Sequence, residues 1–291
     1  MFHTELFIKY GKEYNTMKKF KVGVQLYSVR DAMEKDMDAT LKAIKEMGYD
    51  YVEFAGYFGK TAEEVKAILD KYDLECISVH QAPSLFWEEG QSAIDYLKVI
   101  GAKYCAIPWY TVGEFFDNWD ETMDKFTKLG TQLKENGIQL MYHIHDFEFR
   151  TIDGEAILDK MYATIPNDIL KPQFDTCWVH YAGNNPAEYL KKYVGKIEVV
   201  HLKDFVCEKL GGGPVYGLID ADGAENKSQS KEDNGFKFMP VGSGIQDWPA
   251  ILAAAEEAGA EVVIVEQDQS LDRDPMEAVK MSREYLKTLG I

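Results

Sequence analysis

The chain has 291 residues, 46% hydrophobic and 28% charged, the make-up of a globular protein with material for a large core. Its formal net charge of −17, without any run of Lys or Arg, sets it against nucleic-acid backbones and anionic membrane surfaces. The four cysteines, Cys76, Cys105, Cys177 and Cys207, form no CxxC pair and fit a reduced, cytoplasmic setting rather than a disulfide framework.

The opening residues, "MFHTELFIKYGKEYNTMKKF", show no continuous apolar core and no small-residue cleavage site, so they do not read as a signal peptide. Residues 1–19 are expected to form an N-terminal extension, with Met17 a candidate second start, and residues 20–291 one domain. No stretch approaches the roughly 20 apolar residues of a membrane span. From residue 21 onward, short apolar runs recur: "KVGVQLYS" (21–28), "YVEFAGY" (51–57), "CISVHQA" (76–82) and "KYCAIPWY" (103–110). "IQLMYHIH" (138–145), "LKPQFDTC" (170–177), "IEVVHLKD" (197–204) and "EVVIVEQD" (261–268) follow. The segments between them have helical period. "DMDATLKAIKEMG" steps Leu41, Ile44 and Met47 along one face, and "DWPAILAAAEEAG" opens with Asp247 as N-cap and Pro249 in the first turn. Eight strands that each return through a helix imply a parallel sheet, and eight such units close into a (β/α)₈ TIM barrel. A doubly wound open sheet would need a Gly-rich turn after its first strand, where this chain has "SVRDAMEKD". A long acidic, Gly/Ser-rich segment (205–246) follows the seventh strand, on the face where barrel active sites lie.

Polar residues gather at the C-terminal ends of these strands: His80, His143, His145, His180 just past the sixth strand, His201, Asp175 and Glu266. Taken singly, each has an ordinary structural reading. A strand-end His is usually a satisfied structural residue, an Asp there commonly caps the next helix, and a Glu often pairs with a neighbouring Lys. Together they place carboxylate and imidazole groups at the ends of strands five to eight, which barrel closure brings to one mouth. Converging carboxylates repel in a low-dielectric site, and a divalent cation relieves that repulsion; mixed oxygen and imidazole donors suit Mn, Zn, Fe or Co better than Ca.

The segments "YHIHDFEF", "FDTCWVHYAG", "VVHLKD", "PVGSGIQDWPAIL" and "VIVEQD" resemble the sugar phosphate isomerase/epimerase family, the xylose isomerase-like TIM barrels, from about residue 20 to 289. The resemblance implies one divalent metal at the mouth, held by Glu, Asp, His and Glu from strands five to eight. Asp175, His201 and Glu266 match the last three places. The first falls on Met141, which cannot serve. Glu148, folding back from beyond the strand, is the favoured substitute, with His143 or His145 as the alternatives.

Such a site supports metal-dependent proton abstraction next to a carbonyl through a stabilised enediolate. The expected activity is therefore sugar isomerisation or epimerisation. A dehydratase or lyase acting on a keto-sugar or keto-inositol, as in inosose dehydratases, is the alternative. A non-catalytic sugar-binding barrel and a DNA repair endonuclease rank below both, the latter disfavoured by the charge. Glu148, Glu266, His143, His145 and Lys203 are the expected acid, base and oxyanion groups, and Gln25, His80 and Trp109 the expected substrate-binding wall, with Glu53 completing its polar side. The partner is a small sugar or keto-sugar, with neither nucleic acid nor membrane, and homo-oligomerisation is compatible with the sequence.

Overall fold

The computed structural model describes residues 20–211 and 235–291. The expected N-terminal extension and residues 212–234 of the long segment lie outside the described residues. The strands are β1 (Lys21–Gln25), β2 (Tyr51–Phe54), β3 (Glu75–His80), β4 (Tyr104–Ile107), β5 (Gln139–His143), β6 (Leu170–Asp175), β7 (Val199–Leu202) and β8 (Val262–Val265). They pair in parallel as a closed barrel in the order β1-β8-β7-β6-β5-β4-β3-β2. Two short antiparallel pairs, Thr151–Ile152 with Glu155–Ala156 and Asp204–Val206 with Lys237–Met239, decorate the mouth side of β5 and β7. Among the described residues no helix is long and apolar enough to cross a membrane.

Alternation along each strand divides the residues between lumen and outer layer. On β8, Val263 and Val265 join the core beneath the helices, while Val262 and Ile264 point inward with Met141, Val199, Tyr104 and Ala106. The lumen is thus apolar at its base. Its upper layer is polar: Gln25, Glu53, His143, Gln173, Asp175 and His201 are buried there, on strands whose outer faces are apolar. One irregularity helps to set this layer. Between β2 and β3 the register jumps from Val52↔Cys76 to Glu53↔Ser78, so Ile77 is bulged. The bulge re-aims the end of β3, and His80 reaches the lumen beside Glu53.

Helix boundaries follow local chemistry. Helix Met37–Met47 begins with Asp36 accepting from Ala39 N and ends at Gly48 in the left-handed region. Leu41 and Ile44 on its inner face are fully buried, each stabilising by about 1.5–3 kcal/mol. Helix Ala62–Tyr72 carries a full capping box between Thr61 and Glu64. Helix Trp248–Ala258 uses Asp247 as N-cap and Pro249 in its first turn, as the sequence predicts. The long excursion after β7 returns to this helix through "PVGSG". Gly242 has φ +89°, and a Cβ on Gly244 would lie 2.1 Å from Asp204 Oδ1.

Candidate metal centre and active site

The C-terminal ends of β5 to β8 bring His143, Asp175, His201 and Glu266 together, all buried, with ligand-type atoms within 4.8 Å of one another. Asp175 shows how local structure aims such a group. Its Oδ1 accepts from Cys177 N (2.8 Å) and Trp178 N (3.3 Å), capping helix Thr176–Tyr181. The cap fixes the carboxylate, and Oδ2 is left facing the lumen. The ordinary capping role and the site role are carried by different oxygens of one side chain.

His201 Nδ1 lies 2.8 Å from Glu266 Oε2. His143 Nε2 lies 3.7 Å from Asp175 Oδ2 and 3.8 Å from Glu266 Oε2. Lys203, one step beyond β7 and almost fully buried, puts Nζ 2.9 Å from Asp175 Oδ2 and 2.9 Å from Glu266 Oε2, and 3.2 Å from Asp268 Oδ1. The Lys203–Asp175 contact is close but off the hydrogen-bond direction, so Asp175 Oδ2 is a buried oxygen without a directed partner. The same holds for His201 Nε2, 2.8 Å from Glu53 Oε1. Two imidazoles and two carboxylates converging with an unsatisfied oxygen are donors of the kind that hold Mn, Zn, Co or Fe.

Charge in this layer is balanced internally. Burial opposes ionisation of Glu266, yet Lys203 and His201 hold its carboxyl well below the usual carboxylate range. Burial likewise works against His201, but Glu53 and Glu266 on either side push it up to about 10. Burial raises Asp175 to about 6 against the pull of Lys203. His143 and His145 are driven well below the ordinary imidazole value, His143 by burial and by neighbouring His201 and His80, and His145 by burial and the charge of Lys203. The layer therefore pairs two cations, Lys203 and protonated His201, with its acids, and keeps two imidazoles neutral. A divalent ion carries the same charge as those two cations together.

Beneath this cluster lies a hydrogen-bonded support. Gln25 Nε2 and Gln173 Nε2 donate to Glu53 Oε1 and Oε2, both at 2.7 Å. Gln173 Oε1 faces His80 Nε2 at 2.8 Å and His143 Nδ1 at 2.9 Å. Gln25 and His80, expected to line a substrate wall, thus belong to the layer that holds the imidazoles. His145 lies just past β5, its ring 4.9 Å from that of His143 and parallel to Phe147. Trp109 packs half-buried against the hydrophobic core beyond β4. His180 bonds to Gln246 (2.8 Å), whose Nε2 donates to the Lys203 carbonyl.

Glu148 requires a correction, for the structure does not bring it to the cluster. It is fully buried on the outer side of β5, accepting from Tyr142 O–H (2.7 Å) and from His145 N–H (2.8 Å). Tyr142 alternates with His143 and so points away from the lumen, and Glu148 follows Tyr142. The position opposite Asp175 and Glu266 is filled by His143. Gln173 escaped the sequence reading although its signal was present: it sits two residues before Asp175, on the same strand face, between Pro172 and Phe174. Asp268 shares the strand face of Glu266 in the sequence, but its pairing with Lys203 was not foreseen.

Burial pushes the Glu148 carboxyl up to about 8 despite its two hydrogen bonds. An acid raised in the folded state gives its full stabilisation below its unfolded value near 4.5. That contribution is lost as pH rises toward 8, because the unfolded chain releases the proton first. Urea unfolding at pH 5 and pH 8 should show a larger fall in stability for the native chain than for Glu148→Gln. Parallel falls in the two proteins would remove Glu148 as the source.

Residues 41–289 match the sequence profile of the xylose isomerase-like TIM barrel family. An inosose dehydratase of Mesomycoplasma hyopneumoniae (strain 7448) is 27% identical, the match covering 94% of this chain and 97% of that one. Among solved structures, a sugar phosphate isomerase/epimerase from Parabacteroides distasonis ATCC 8503 superposes with a TM-score of 0.73 at 20% identity, covering 94% of this chain and 95% of that chain. The IOLI protein with a bound zinc atom superposes with a TM-score of 0.68 at 18% identity, covering 92% and 97%. Fold, strand-end cluster and profile agree: the chain belongs to the xylose isomerase-like TIM barrel family.

Proposed function

We propose that the chain is a metal-dependent dehydratase, which removes a carbon-bound proton beside a ketone of a polyhydroxylated ring and then expels a β-hydroxyl as water. A keto-cyclitol or keto-sugar is the substrate class. The observation that carries this reading is the mouth itself, where an ammonium, carboxylates and neutral imidazoles meet at one point. A divalent ion held by His143, Asp175, His201 and Glu266 would act as Lewis acid on the ketone oxygen and acidify the adjacent C–H.

The chain's own groups divide the proton work. The His145 imidazole is kept neutral by burial and by Lys203, which leaves a ring nitrogen able to accept the substrate proton. Lys203 Nζ supplies the positive N–H donor for the oxyanion and for the departing hydroxyl. Glu266 and Asp175 hold that ammonium at 2.9 Å each, and Asp268 offers it a third carboxylate at the rim.

Isomerisation and epimerisation, the first expectation from the sequence, begin with the same proton abstraction but must return a proton to carbon. Epimerisation needs a second base across the substrate. The carboxylate beyond β5 that could serve, Glu148, faces away from the mouth, and the end of β5 and the residues just past it contribute the imidazoles of His143 and His145 instead. That substitution, with inosose dehydratases as relatives over nearly the whole chain, favours elimination.

The metal-loaded protein incubated with keto-cyclitols and keto-hexoses in deuterated water should release water and form an unsaturated or dicarbonyl product. Deuterium exchange with return of an isomeric or epimeric sugar, and no dehydrated product, would reverse the assignment in favour of isomerase chemistry. Lys203→Met should keep the ion, because it removes a cation that competes for Asp175 Oδ2 and Glu266 Oε2. Its turnover should fall by about 10²- to 10⁴-fold. Undiminished turnover in that variant would take Lys203 out of the chemistry.

A further inference from the structure

We propose that Gln173 is a positioning residue whose side-chain oxygen holds His143 as the Nδ1–H tautomer, so that His143 faces the metal centre through Nε2. This rests on the reading of His143, Asp175, His201 and Glu266 as a metal centre. Glu53 is fully buried and, as a carboxylate, can only accept hydrogen bonds. It takes Gln25 Nε2 and Gln173 Nε2 at 2.7 Å each. A primary amide can usually sit in either of two flipped orientations of nearly equal shape. An anion on one side removes that freedom: Gln173 must turn Nε2 toward Glu53 and Oε1 toward the imidazoles.

An amide oxygen only accepts. His143 Nδ1 at 2.9 Å and His80 Nε2 at 2.8 Å must therefore both be N–H. A neutral imidazole protonated at Nδ1 carries its lone pair on Nε2, and His143 Nε2 is the nitrogen facing Asp175 Oδ2 and Glu266 Oε2. A reversed Gln173 would present N–H to His143 Nδ1 and force the proton onto Nε2, where a ligand needs its lone pair. Support of this kind, in which the far nitrogen of a ligating imidazole meets an acceptor, fixes ring orientation as well as tautomer.

The same network explains a second grouping. His80, His143 and His201 bring ring nitrogens within 4.8 Å of one another, a spacing that could suggest another ion. His80 Nε2 and His143 Nδ1, however, share Gln173 Oε1 as their acceptor. One ion per chain is expected.

Long-range ¹H–¹⁵N correlation spectra of histidine-labelled protein, metal-free and zinc-loaded, report which nitrogen of each ring carries the proton. His143 should be protonated at Nδ1 in both states, with only Nε2 shifted by zinc. Gln173→Met keeps the side-chain length and removes both polar atoms; zinc affinity should fall by about 10- to 100-fold. The exchange Glu53→Gln with Gln173→Glu restores an acceptor to His143 and a donor–acceptor pair between the two positions, and should recover most of the loss. Zinc on His143 Nδ1, native affinity in a folded Gln173→Met protein, or two zinc ions per chain would each overturn the proposal. A native chain that takes up no zinc sinks the metal-centre reading instead. The role of Gln173 then stands or falls on the metal-free spectrum, where an Nε2–H His143 ends it.

Discussion

His143→Ala should strip the divalent ion from the barrel mouth, while Glu148→Gln should leave it in place. The two residues competed in the sequence for the position that the family pattern gives to a carboxylate. The geometry separates them. His143 Nε2 stands within 4 Å of Asp175 Oδ2 and Glu266 Oε2, whereas both oxygens of Glu148 are engaged by Tyr142 and the His145 backbone on the far side of β5. Removing a ligating imidazole should weaken binding by more than about 100-fold, beyond the loss caused by removing a residue that only orients a ligand. Metal content after dialysis against a weak chelator, read by atomic emission, is the measurement. Ion lost from Glu148→Gln but kept in His143→Ala would return the ligand role to the glutamate. That result would also require the segment after β5 to refold around the ion.

What the sequence made legible follows from which forces are local. The (β/α)₈ order was readable because strands buried on both faces are apolar runs, and helices with one buried face repeat at 3.6 residues; Val262–Val265 and Met37–Met47 are clear cases. Asp175, His201 and Glu266 were readable as a group because each is a costly polar residue at the end of an apolar strand. Glu148 was misplaced because it lies beyond the strand, where period-two alternation no longer says which way a side chain points. A 3₁₀ turn, Phe147–Phe149, sends it outward to the Tyr142 hydroxyl. The joint role of Glu53 and Gln173 was harder still: Glu53 was expected only as part of the polar wall, and Gln173 was not singled out. Their importance lies in hydrogen bonds across the lumen, between residues 53 and 173 and between 143 and 173, and only barrel closure creates those neighbours. The aim of His80 depends on a bulge at Ile77 that no local pattern announces.

Asp204→Ala should destabilise the protein by about 3–5 kcal/mol, the largest stability effect expected of any single substitution near the mouth. Asp204 is fully buried, and its carboxylate is the common acceptor for the returning end of the long excursion. Oδ2 takes Gly242 N (3.0 Å), Gly244 N (3.0 Å) and Trp248 Nε1 (2.9 Å), and Oδ1 takes Phe205 N (2.9 Å) and Gln246 N (3.3 Å). Alanine leaves those donors unpaired, and each buried unpaired donor costs about 1–3 kcal/mol; water entering the vacated space offsets part of the sum. Asp204→Asn is the sharper test. Both carboxylate oxygens face only N–H donors, so an amide placed either way sets an NH₂ against at least one of them. Asparagine should therefore resemble alanine rather than aspartate, lowering the thermal midpoint by several degrees. The effect should also reach the chemistry, because Gln246, which the carboxylate fixes, donates to the carbonyl of Lys203. Slower turnover with metal content unchanged is the expected signature in the Asn variant, assayed below its new midpoint. An Asn variant as stable as the native chain would mean that the PVGSG turn holds its shape without an anion. The stability of this corner of the barrel would then rest on the packing of buried Trp248 alone.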